Sequence, residues 1–156
     1  MESIVKCIGD IDLDIDYDGG CRESKHFKNC VINLGKYSIV KGLTNEYGGA
    51  FELYVSSMLF GTNGAVGGTP RVVEGIQTGM FGPAVISKPV VARPNDTLPN
   101  QAVFTAVLLK TDAVGEVLNE MALQLQDGTV FSVATFGDIT KSNTMQMTWN
   151  WRITFI

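Results

Sequence analysis

The chain has 156 residues, 45% of them hydrophobic and 18% charged, with a net charge of −4. That balance excludes a disordered chain, and the scattered lysines and arginines do not form the clustered cationic surface that binding nucleic-acid phosphates requires. No stretch approaches the roughly 18 consecutive apolar residues of a membrane span, and MESIVKCIGD lacks a basic segment followed by an apolar one. Folding in a cytoplasm is therefore expected, with no nucleic-acid and no membrane partner.

Residues 10–17, DIDLDIDY, alternate strictly, putting Ile11, Leu13, Ile15 and Tyr17 on one face and four aspartates on the other. This predicts a strand, and the like charges suit an edge that discourages further pairing. Asp18-Gly19-Gly20 breaks it. From His26 the spacing changes to three and four, through Phe27, Cys30, Val31, Leu34 and Val40, which predicts one helix over about 26–42. Ser24 is its N-cap and Gly42 its end.

Phe51 to Ser57 alternates again and runs into a glycine-rich segment. Residues 61–83 hold seven glycines and little periodicity, and they are expected to form a long excursion that orders against a neighbouring subunit. Val85 to Val91 is a short apolar run in which Pro89 suits an edge strand. Pro94 and Pro99 bracket a turn. Ala102 to Lys110 is apolar on both faces, as a strand covered on both sides would be.

Leu118–Leu125 and Val130–Phe136 flank Asp127-Gly128, read as a two-residue hairpin turn. The segment 144–156 then alternates Met145, Met147, Trp149, Trp151, Ile153 and Phe155 against polar neighbours. This strand is expected to close a β-core or to sit at a subunit contact, and with its predecessors to make an antiparallel meander of three or four strands. The whole, residues 1–156, reads as a single all-β domain, a sandwich or jelly-roll-like fold with one N-terminal helix.

Few constellations carry chemistry. Asp14-x-Asp16-x-Asp18-Gly19 copies the opening of a calcium loop, but Lys25 stands where the closing acid belongs. Cys7, Cys21, His26 and Cys30 are zinc-binding types without the tight C-x2-C knuckle, and three cysteines in a reducing compartment are expected as thiols. His26 is the only histidine, and no G-x-S-x-G elbow accompanies it. Glu116 and Glu120 are the carboxylate pair weighed for a glycosidase-like site, and the glycine loop lacks the lysine of a phosphate cradle. No catalytic residue, metal or cofactor is expected. Met80, Phe81, Trp149 and Trp151 are the candidate interface residues, since Trp and Met are enriched at contacts.

Four segments carry a resemblance: Lys28-Asn29-Cys30-Val31-Ile32-Asn33-Leu34-Gly35-Lys36; Ser57-Met58-Leu59-Phe60-Gly61-Thr62-Asn63-Gly64; Leu118-Asn119-Glu120-Met121-Ala122-Leu123; and Ala134-Thr135-Phe136-Gly137-Asp138-Ile139-Thr140-Lys141 ahead of Trp149-Asn150-Trp151. In this order they resemble small virion structural proteins of tailed bacteriophages, of the head-decoration, neck or tail-associated β-sandwich type. The resemblance implies a non-enzymatic building block in the virion. The favoured expectation is a capsid decoration or cement protein, a homo-oligomer contacting the major capsid protein or other virion proteins. A neck, tail or fibre-anchoring protein is the alternative, and a metal-dependent carbohydrate-binding module the reading from another class.

Overall fold

In the computed structural model, which describes residues 6–49 and 52–156, two antiparallel five-stranded sheets pack face to face. The first has the order β2 (Arg22–Lys28), β1 (Cys7–Tyr17), β12 (Met145–Phe155), β9 (Gln101–Leu108), β8 (Val91–Pro94). The second runs β3 (Cys30–Val31), β11 (Val130–Thr140), β10 (Val117–Leu125), β4 (Val55–Gly61), β7 (Ile86–Pro89). A small hairpin of β5 (Ala65–Val66) and β6 (Thr69–Pro70) and one helix, α1 (Asn33–Leu43), complete the fold. No helix among the described residues is long and apolar enough to cross a membrane.

Alternation in β1 and β12 builds the core. Ile11 stands opposite Trp151, Leu13 opposite Trp149 and Ile15 opposite Met147, all facing the second sheet and all buried. Across the gap Trp149 meets Phe60 at 5.2 Å and Phe136 at 5.4 Å between ring centroids, the tilted geometry that aromatic pairs prefer. Both tryptophans are fully buried within one protomer, so the expectation that they anchor an interface is corrected: their rings are spent on the sandwich. Neither indole N–H has a hydrogen-bond partner among the described residues.

The aspartate strand is not an edge. β1 pairs with β12 on one side and β2 on the other, and positive-φ Gly19 and Gly20 turn the chain between β1 and β2. Residues 26–28, expected as the start of a helix capped by Ser24, are therefore strand, part of β2. Hairpin pairing sets Asp16 opposite Arg22, Asp14 opposite Ser24 and Asp12 opposite His26, while Phe27 turns inward to Phe136 at 4.9 Å. Charge matching along the hairpin overrides the three-and-four spacing, which spans β2, β3 and α1. The helix begins at Asn33, with Ile32 rather than Ser24 at its N-cap position and no side-chain cap, and it ends one residue past Gly42. Gly35 lies so close to the Phe131 carbonyl that an added Cβ would overlap it.

The strand expected over 51–57 runs instead from Val55 to Gly61, centred on the buried Met58 and Phe60; Phe51 lies outside the described residues. β7 with Pro89 is an edge strand, as its missing N–H requires. The meander is corrected too. β10 and β11 form a hairpin, but β9 and β12 belong to the first sheet, so between β9 and β12 the chain crosses from one sheet to the other and back. A three-residue loop, Gln126 to Gly128, joins that hairpin, with Gly128 at φ 90° and Leu125 N–H on the Thr129 carbonyl at 2.8 Å.

The strands covered on both faces are β10 and β11, not β9. Over the outer face of the second sheet Leu34, Val73 and Met80 pack on Ile32, Ala122, Val130 and Val133. Residues 61–83 thus order against their own sheet.

Candidate functional site

Two regions gather the polar side chains. The first is a groove of about 580 Å³ on the outer face of the first sheet, where Asp12, His26, Arg93, Asn95, Asn150 and Arg152 converge. Because β2, β1 and β12 are neighbours, every second residue of each lands on this face. His26 Nδ1 lies 2.8 Å from Asp12 Oδ1, and its Nε2 lies 3.3 Å from Asp10. Arg152 donates to Asp12 at 2.6 Å, Ser24 Oγ to Asp14 at 2.6 Å, and Arg22 Nε to Asp16 at 2.7 Å. Partial burial pushes the Asp12 carboxyl up, but hydrogen bonds and charge from His26 and Arg152 outweigh it and hold it below its ordinary range.

Both histidine nitrogens face carboxylates, and the nearest serine on that face donates elsewhere. The arrangement thus supplies no nucleophile–base pair. The zinc-type residues are dispersed: Cys7 opens β1 and Cys21 lies beyond its far end, across a strand of 11 residues that spans about 33 Å. Among the described residues no group of three or more His, Cys, Asp or Glu is placed to hold a metal ion.

The second region is the attachment of the glycine-rich segment, which the sequence does not reveal. Glu120 is fully buried in the middle of β10. Its Oε2 accepts the Phe81 N–H at 2.7 Å, and its Oε1 accepts the N–H groups of Asn63 and Gly82, each at 3.2 Å. Beside it Asn119 accepts the Gly64 N–H at 2.7 Å and donates to Asp138 at 3.0 Å. One carboxylate therefore clamps both ends of a 20-residue excursion. The glycines make this approach possible, since a Cβ on Gly61 would stand 2.7 Å from Glu120 Oε1 and one on Gly64 would overlap Asn119. Glu116, the other carboxylate of the pair weighed for a glycosidase-like site, is exposed on the turn before β10.

Of the four candidate interface residues, Met80 packs into the outer core layer and Phe81 lies under Arg71, whose guanidinium sits 5.1 Å from the ring. Both are half-buried. The surface they support was missed by the sequence reading: Val66, Val72 and Ile76 are 63%, 83% and 76% exposed. A groove of about 480 Å³ lies between Val72, Ile76, Met80 and Phe81, with Glu74 on its wall. A second buried charged residue, Lys141, donates to the Lys110 and Ser142 carbonyls at 3.3 and 2.9 Å, and the half-buried Lys88–Asp112 pair closes at 2.7 Å.

No protein-family model matches this chain, and neither a curated protein nor a solved structure matches it.

Proposed function

We propose that this protein is a non-catalytic building block of a tailed-phage virion, most simply a decoration or cement protein on the capsid. The observation that carries the reading is the clamped 61–83 segment. Glu120 and Asn119 fix its backbone while Val66, Val72 and Ile76 stay in water. Exposed apolar side chains on a rigid support are what a contact surface needs, because little conformational entropy is lost on docking. The polar groove on the opposite sheet supports the same reading, since its carboxylates are engaged within the same chain, Asp12 by His26 and Arg152 and Asp14 by Ser24. The order of motifs that resembles small virion proteins supplies the setting.

Counting copies in purified particles by quantitative mass spectrometry tests this. A decoration protein is expected in hundreds of copies, whereas a neck or tail component follows cyclic symmetry at about three to twelve. Absence from particles overturns the virion assignment.

A further inference from the structure

A further apolar surface stands open beside α1. Gly35 and Ser38 seat the helix on the second sheet and Ile39 packs against the main core, which leaves Val40 and Leu43 exposed. A groove of about 710 Å³ runs between these two residues and Ile8 and Phe155 of the first sheet, with Lys6 and Lys36 in its walls. Ile39 and Phe155 also line a cavity of about 270 Å³ that enters between the sheets against Phe104 and Phe131. That is below the roughly 300–1,000 Å³ of a small-molecule site and suits one large side chain. Neither lysine forms an ion pair with another described residue.

The loop offers the complement. Glu74 is exposed between Val72 and Ile76, and it too makes no ion pair among the described residues. One surface is therefore apolar with a carboxylate, the other apolar with two ammonium groups. They are joined through α1. The Asn33 N–H donates to the Gly75 carbonyl at 2.7 Å, so the helix that carries Lys36, Val40 and Leu43 starts at the loop, and Leu43 lies about 15 Å further along it.

We propose that the occupant of the groove is the Val72–Ile76 segment of a second copy, in a two-fold dimer in which each loop enters the other's groove. Each copy carries both a loop and a groove, so a two-fold axis forms two such contacts at once and closes the assembly without leaving either surface open. This rests on the reading of the loop as a contact surface and adds the surface that receives it.

The test is a charge exchange followed by sedimentation equilibrium, with circular dichroism confirming that each exposed-site variant is folded. Glu74→Lys and Lys36→Glu are each expected to weaken the dimer at least about tenfold, and the double exchange to restore it to within about threefold. A Lys36→Glu protein that dimerises like the unsubstituted chain overturns the proposal. So does a monomeric unsubstituted protein, which gives the groove to an acidic apolar segment of another protein. Loss of dimer in Val72→Asp with Lys36→Glu dimers intact sinks only the groove and leaves the loop as contact surface.

Discussion

The Glu120 carboxylate accepts the Phe81 amide at 2.7 Å from inside the sheet, and through it a segment rich in glycine becomes part of the fold. Replacing Glu120 with Gln leaves one acceptor for three N–H donors and turns an amide donor toward them. The expected cost is about 1.5–3 kcal/mol, the range for hydrogen bonds to a charged group. Urea unfolding measures it, and hydrogen exchange should show the Asn63, Phe81 and Gly82 amides losing protection before the core strands. A variant within about 0.5 kcal/mol of the parent would mean the carboxylate does not hold the loop.

Gly35→Ala separates propensity from packing. Helix propensity alone favours alanine by about 0.8–1.0 kcal/mol. The new Cβ meets the Phe131 carbonyl, so a loss of about 1–3 kcal/mol is expected instead, as for overpacking. Thermal unfolding decides, and a raised Tm would show that α1 can shift off β11.

Trp149→Ala removes the ring that touches Phe60 and Phe136, at an expected cost of about 3–5 kcal/mol. Its milder counterpart, Trp149→Phe, should leave the oligomeric mass unchanged, since the ring is fully buried within the protomer. A shifted mass would return the indole to the interface.

Acid weakens the fold through two carboxyls. The hydrogen bond from Lys88 lowers the Asp112 carboxyl against its partial burial, and the Asp12 carboxyl is lowered by His26 and Arg152 despite burial. Both ordinary values are 3.8, so the stability these groups add is complete above about pH 5 and is lost as pH falls through the lower folded values. The Asp12 pair is half-exposed, and solvent screening holds its share to about 0.2–1 kcal/mol. Asp12→Asn should flatten the acid limb of a stability–pH profile below pH 4, and an unchanged limb would contradict the assignment.

The sheet-forming segments were legible because alternation is a local signal: Ile11, Leu13 and Ile15 against four aspartates, and Trp149 and Trp151 against Asn150 and Arg152, declare their faces within a few residues. Partner choice was not, because register and sheet crossing depend on residues far apart. Nothing local tells that Asp12 will meet His26, so residues 26–28 read as the start of a helix. The site was hidden for a related reason. Glu120 carries no sequence mark of burial, and its three donors lie 38 to 57 residues away. The only pointer was a charged residue within a largely apolar strand, Leu118 to Leu125, in a chain that also holds a run of closely spaced glycines.

The most direct measurement is the sedimentation-equilibrium mass of the Val72→Asp, Ile76→Asp double variant beside that of the unsubstituted protein. Both side chains are exposed, so the fold and its Tm should persist while the oligomer falls to the 16.9 kDa monomer. A folded double variant that keeps the parent mass would contradict the loop as the contact surface.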